Sequence, residues 1–386
     1  MKRTYQQKNT VIALLFLAFT SLLSCQKDKV ENNICDGNGQ PVINSVSNVD
    51  RANITQGEYN QYVIIKGQNL CNLKKFQFND IEIAIDQLYA NNNELTVRIP
   101  NRAPGNLTNK ILLETPAGSA AFDFKINIPP VTIKNIENEY APVGTTMIMA
   151  GQSFDFGGYL KGEGKVFFGT IEATITKATV DSLYVTVPQG AAQGMVIKTI
   201  DKYGAEFSYQ YPYKDRTNLV VNYDDKPTGT WARKNYIGTD AIPGVLDGNY
   251  AHFVEMPLRS NFAVDQFLKG RVNVPADVLA NPANYVIKFE VATLLPLDKA
   301  GIRIYGDNLI APSRFNAWTF TAARQLNTKA KWITQTISLQ SAIGGTATMA
   351  ARANNQIELY AVATAQTGFN IDISFDNWRI VEKSKY

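Results

Sequence analysis

From about residue 41 onward, apolar and polar residues alternate in short runs broken by Gly, Asn, Asp and Pro. A period of two sends successive side chains to opposite faces, so these runs predict half-buried β-strands. Clear examples are YVIIKGQNL (Tyr62 to Leu70), TMIMAGQSF (Thr146 to Phe154), YVIKFEVAT (Tyr285 to Thr293) and NQIELYAVA (Asn355 to Ala363). No long stretch carries its apolar residues at helical spacing. Strands this short bury their apolar faces only against a second sheet, which predicts an all-β chain of stacked sandwiches. At 386 residues, two or three such domains are expected.

The alternation is itself repeated. KKFQFNDIEIAI (Lys74 to Ile85) and NELTVRIP (Asn93 to Pro100) follow the first run; GKVFFGTIEATI (Gly164 to Ile175) and DSLYVTVP (Asp181 to Pro188) follow the second, with a period of roughly 90 residues. ETPAGSAAFDF and DKYGAEFSYQY pair near the ends of the two copies. Gly151, Phe154, Val166, Phe168, Gly169 and Pro188 make the second copy similar to the IPT/TIG family of immunoglobulin-like domains. The first copy departs by having Asn79 where the family prefers Gly, and Asn also tolerates a left-handed turn. The resemblance implies two tandem Ig-like sandwiches, over 41–128 and 129–213, and says little about function.

The N-terminus is different. Lys2, Arg3 and Lys8 precede an apolar run, VIALLFLAFTSLL, of roughly a dozen residues. A membrane span needs about 20, so the run reads as a secretory signal over 1–24. It ends in LLSC, which resembles a bacterial lipobox with Cys25 as the lipidated first residue of the mature protein. The charged residues that follow resemble the export tag of Bacteroidota surface lipoproteins. The next segment, 25–40, is polar and reads as a tether. Loss of the signal removes three basic residues and leaves 35 basic against 34 acidic. A nearly neutral chain does not suit nucleic acid, which calls for a basic stripe. Cys35 and Cys71 then remain in an oxidising compartment, either bridged or as two free thiols.

From about residue 214 the repeat stops and a longer unit runs to the C-terminus, read as a larger sandwich of jelly-roll type. All four tryptophans fall here: Trp231, Trp318, Trp332 and Trp378. Exposed indole faces suit the apolar faces of sugar rings, while core packing is their commoner use. Strand phase separates Arg303 and Tyr305 from Ile302 and Ile304. It places Trp332 with Thr334 and Thr336, away from Ile333 and Ile337. Trp378 falls with Asp372, Ser374 and Asp376 unless a bulge resets the phase. Glu358 and Tyr360 oppose Ile357 and Leu359. Trp318 is expected in a loop beside Arg314 and Asn316, and Trp231 follows the turn sequence KPTGT.

Catalysis finds little support. The one histidine, His252, lies in an apolar context and is read as structural, which leaves no His-based metal site and hardly a Ser–His–Asp arrangement. No carboxylate pair stands out for glycoside cleavage. The segments NYDDKP and DISFDN together have the oxygen ligands for a structural calcium, but no metal or cofactor is expected.

Tether, tandem Ig-like domains and a last sandwich opening VVNYDD and closing FDNWRI resemble Bacteroidota surface glycan-binding proteins. Within them the match is to the group whose last domain resembles a xyloglucan-binding domain; GIRIYGDN, NAWTF and KWITQTISL carry it. The resemblance implies a non-catalytic lipoprotein on the outer membrane, exposed at the cell surface. Its partners would be a plant or fungal cell-wall polysaccharide such as a β-glucan, xyloglucan or mannan, with a neighbouring transporter and hydrolases. It carries Trp318 over as a binding aromatic, with Arg303, Tyr305 and Asn316 as neighbours, though Ala317 stands where the family often has Pro. Trp231, Trp332 and Trp378 are further candidates. The competing readings are a lipid-anchored glycoside hydrolase and a structural or adhesin protein.

Overall fold

The computed structural model describes residues 35, 38–227, 237–258, 266–298, 301–306, 316–319, 323–346, 348–349, 353–363 and 369–384. Within that set, 255–258, 266–267, 301–306, 316–319, 353, 360, 362–363 and 369–370 are described by backbone alone. The lipobox with Cys25 and the tryptophan Trp231 lie outside the described residues.

The chain divides into two compact units, 1–128 and 129–386. The first holds two four-stranded sheets. One runs in the order Val42–Ser47, Tyr62–Gln68, Glu94–Arg98, Tyr89–Ala90, and the other Ile81–Glu82, Lys75–Phe78, Lys110–Thr115, Gly118–Asp123. The inward positions of each alternating run, among them Val63, Ile65, Phe76, Phe78, Leu95, Val97 and Ile111, form its core. Cys35 and Cys71 are bonded, with their Cα atoms 5.4 Å apart.

The repeat is visible in backbone detail. In each copy the first strand bulges against the second, between Ile43 and Ser45 and between Ile133 and Asn135. There the first strand comes so close that a Cβ on Gly67 would lie 1.9 Å from the Val42 carbonyl oxygen, and one on Gly151 would lie 2.1 Å from that of Thr132. Only glycine fits such an approach, which explains why KGQ and AGQ recur. Asn79 and Gly169 occupy the same turn at φ 55° and 59°, so Asn does adopt the left-handed conformation that its partner copy gives to Gly.

The second unit begins with the second copy, a seven-stranded rolled sheet from Thr132–Ile136 to Glu206–Ser208. The C-terminal sandwich follows. Its sheet I runs Ile237–Gly238, Tyr250–Leu258, Phe369–Glu382, Tyr285–Thr293, Ile333–Ser338, with Leu219–Val221 also pairing Phe369–Glu382. Sheet II runs Gln266–Asn273, Gln356–Ala363, Gly301–Gly306, Asn316–Thr319. The core between them takes Phe253, Ile287, Phe289, Val291, Ile373 and Phe375 from sheet I and Leu268, Ile357, Leu359 and Ala361 from sheet II. The described residues are therefore nearly all β, with only short helical turns between strands.

Much of the outer face of sheet I is also buried, because the second Ig-like copy packs on it. Val286 and Val381 of sheet I join that copy's apolar core, and Tyr140 clusters with Leu246, Tyr250, Ala292 and Trp332. A buried ionic group lies in the same interface. Arg379 donates to Glu139 at 2.6 Å and to both oxygens of Glu290 at 3.0 and 3.1 Å. Lys288 donates to Glu139, as does the Tyr209 hydroxyl at 2.9 Å. Thr334 donates to Glu290 at 3.0 Å, and its backbone N–H donates to the Glu137 carbonyl at 2.6 Å.

Candidate glycan-binding face

Two of the candidate tryptophans are removed from solvent. Trp378 is 0 % exposed and stacks on Phe289 with ring centroids 3.8 Å apart. Asn377 adopts φ 50°, and the pairing with Tyr285–Thr293 shifts between Lys288–Arg379 and Glu290–Asp376. That extra residue is a bulge, and it resets the phase so that Trp378 joins Phe375 on the core face while Arg379 turns outward. Trp332 does stand on the outer face of sheet I with Thr334, as alternation predicts. That face is covered, so Trp332 is only 8 % exposed, edge-on to Tyr250 and donating its Nε1 proton to the Gly244 carbonyl at 2.7 Å. Neither indole offers a face to a sugar.

The strongly perturbed carboxyl groups lie in the same sealed interface. Burial pushes Glu290 up to about 7 against the pull of Arg379, and burial together with Glu290 holds Asp376 well above the usual carboxylate range. Burial also acts to raise Glu139, but Lys288 and Arg379 outweigh it and the net shift is downward. Perturbed carboxyls often flag an active site; these are fully buried, and Glu139 joins the two domains through Lys288 and Arg379. His252 is also buried, and its ring nitrogens lie 2.7 Å from Asp240 Oδ2 and 2.8 Å from Asp372 Oδ1. In the two acidic segments considered for calcium, Asp372 faces His252 and Asp225 accepts from Arg216 and Asn222. Among the described residues no cluster of three or more metal-binding side chains forms.

Sheet II has the face that remains. On Gln266–Asn273, Leu268 points into the core while Lys269 and Arg271 alternate outward; on Gln356–Ala363, Ile357 and Leu359 point in and Glu358 out. Arg271 Nε lies 3.0 Å from Glu358 Oε1 and Lys269 Nζ 3.6 Å from it, so two cations cover one buried carboxylate. These residues line a groove of 340 Å³ with Val220, Asp225, Lys226 and Pro227. Asp225 is held below the usual carboxylate range by hydrogen bonds from Asn222 and Arg216. Such a groove offers adjacent ionic donors and acceptors, which suits a hydroxyl-rich ligand.

The remaining candidates belong to the same sheet. In its backbone register Lys269 pairs with Tyr360 and Tyr360 with Tyr305, while Arg303 lies opposite Val362 and Ala317. Asn316–Thr319 is a strand, not a loop, and Trp318 stands opposite Ile302, with Asn316 opposite Ile304. The side chains of Arg303, Tyr305, Asn316 and Trp318 lie outside the described residues. Lys269, Arg271 and Lys226 were not singled out from sequence. The available signal is the alternation L-K-G-R-V in QFLKGRVN, which by itself does not reveal the carboxylate across the ladder.

Residues 213–382 match the family described as surface glycan-binding protein B xyloglucan binding domain. The C-terminal sandwich is similar to this family. A protein of Bacteroides ovatus described as an IPT/TIG domain-containing protein is 24% identical over 319 residues; the alignment takes in 76% of this chain and 62% of that relative's length. The solved structure of surface glycan-binding protein PbSGBP-B from Prevotella bryantii matches with a TM-score of 0.63 at 18% identity, covering 90% of this chain and 99% of that one. It establishes a shared fold. A third match, an SGBP-B from a xyloglucan utilization locus of Bacteroides uniformis, reaches a TM-score of 0.47 at 18% identity, over 89% of this chain and 99% of that one.

Proposed function

We propose that this chain is a lipid-anchored cell-surface protein that binds polysaccharide without cleaving it and presents it to a transporter and hydrolases of a glycan-utilisation system. Sugar lies along the outer face of sheet II. The observation that carries this reading is a groove of ionic hydrogen-bonding groups on that face, inside the segment matched by a glycan-binding family. Lipid on Cys25 holds the protein to the outer membrane, and the Ig-like copies act as spacers. Binding without cleavage is favoured by the groove's carboxylates. Asp225 is pulled toward its ionised form, the opposite of what a general acid for glycoside cleavage requires. The ligand is a plant or fungal cell-wall glycan, and the family's description makes xyloglucan the first to try, ahead of other β-glucans and mannans.

Affinity electrophoresis of the full mature chain through gels containing each polymer tests this directly. Retardation by at least one polymer is expected, with no release of reducing sugar. The double substitution Lys269→Ala, Arg271→Ala should weaken retardation at least about tenfold, and Tyr305→Ala, in register with Lys269 through Tyr360, should also weaken it. Free migration in every gel, or release of reducing ends, defeats the reading. Cys25→Ser should move the protein from the membrane to the soluble fraction.

A further inference from the structure

The first unit carries a second groove, and we infer that it is an additional contact site for a neutral oligosaccharide chain, independent of sheet II. It encloses 460 Å³ and is lined by Asn60, Glu82, Gln87, Arg98, Asn101 and Arg102, together with the Ile83–Ala84 and Ile99–Pro100 stretches. The exposed face of the Tyr62–Gln68 sheet adjoins it.

Tyrosines flank the groove. Tyr62 stands opposite Arg98 across the ladder, and the Arg98 guanidinium lies 5.9 Å from its ring centroid. Tyr89 stands opposite Thr96, one two-residue step along the same strand, and lies two positions from Gln87. Residues paired directly across antiparallel strands share a face, as do positions i and i+2. Tyr62, Ile64, Thr96, Arg98 and Tyr89 therefore form one continuous surface. Tyr62 is 49 % exposed and Tyr89 is 78 % exposed, although such rings normally cover much of their area. Two strand spacings and one residue pair put the tyrosines on the order of 12 Å apart, a span suited to adjoining sugars of one chain.

The polar lining selects the ligand class. Asn60, Gln87 and Asn101 each present an amide that both donates and accepts, as paired sugar hydroxyls require. The two guanidiniums are steadied by backbone: Arg98 Nε donates to the Asn60 carbonyl at 3.2 Å, and Arg102 Nη2 to that of Glu82 at 3.0 Å. Apolar ring faces beside a row of amides complement a hydroxylated chain better than a charged one. Two sites on one chain would also act in concert on a long polymer, since the second contact is intramolecular.

The inference uses the glycan-binding reading for the identity of the polymer but rests on separate residues, so the two can fail separately. The full mature chain is compared with Tyr62→Ala, Tyr89→Ala and with Lys269→Ala, Arg271→Ala by affinity electrophoresis, and by calorimetric titration with a short oligosaccharide of the retained polymer. Two binding events per chain are expected, and the tyrosine pair should remove one and weaken polymer retardation about tenfold or more with thermal stability unchanged. A single event, together with unaltered retardation of the tyrosine variant, overturns the second site and leaves sheet II standing. Loss of binding in the tyrosine variant alone supports the second site and overturns sheet II. Free migration of the unmodified chain in every gel overturns both.

Discussion

The two Ig-like copies share a bulge, a glycine approach and a left-handed turn, yet one is a unit by itself and the other is built into its neighbour. Aligned on the shared bulge, Val49 of the first copy, 64 % exposed, stands where the second has the buried Glu139, and Asp50 stands where it has the buried Tyr140. Near the end of the first copy the alternating run reads Phe124, Ile126 and Ile128; in the second it reads Tyr209, Tyr211 and Tyr213. The added hydroxyls are used. Tyr209 donates to Glu139, Tyr211 to the Glu382 carbonyl at 2.6 Å, and Tyr213 to the Ala141 carbonyl at 2.7 Å. A sandwich becomes a platform when a few positions around one end exchange apolar groups for polar ones that reach a partner. The lost apolar contact is small beside the cost of leaving the partner's charges unpaired.

That contrast can be broken most severely at Arg379. Arg379→Met leaves Glu139 without one of its two cations and Glu290 without its guanidinium, both buried. The unit 129–386 should lose about 3–5 kcal/mol in urea unfolding, with the transition of the first unit unchanged. Trp378→Ala should cost a similar amount, about 3–5 kcal/mol, through the cavity it leaves, and should leave glycan retardation intact wherever the protein stays folded.

A second test uses pH. Glu290, with its pKa raised to about 7, and Asp376, also raised, bind more protons folded than unfolded. Their contribution is complete below the unfolded carboxylate range and fades as pH rises through about 7. Glu139 has the opposite sign, and its contribution is lost only as pH falls below about 4. Unit 129–386 should therefore be most stable near pH 5 and weaker at pH 8 by about 1–3 kcal/mol, read as a fall in Tm. Asp376→Asn should flatten much of that slope; an unchanged slope would remove the assigned role. The first unit, which has no buried carboxyl group among its described residues, supplies the control. The smallest effect is expected from Tyr211→Phe, which removes one hydroxyl at the boundary and should cost about 1 kcal/mol.

Local rules made much of this legible before any coordinates. Alternation located Tyr62–Gln68, Thr146–Gln152, Tyr285–Thr293 and Gln356–Ala363 as strands, because each buries one side chain in two on at least one face. The tolerance of Asn79 for a left-handed turn followed from its short polar side chain. Even the placement of Trp332 on the polar side of its strand was right as phase.

What alternation could not report is whether the polar side of a strand meets water. For sheet I it meets another domain, and that decided the fate of Trp332, Lys288, Glu290 and Arg379 together. A single inserted residue at Asn377 then exchanged the faces of Trp378 and Arg379, since a period of two retains no memory of phase across a bulge. The chain's own order of residues determined strands, turns, repeat and the all-β class, which depend on neighbours a few positions away. Tertiary structure alone decided which sheet faces were covered, which carboxyls were sealed among cations, and where grooves remained, because burial and desolvation are set by groups distant in sequence.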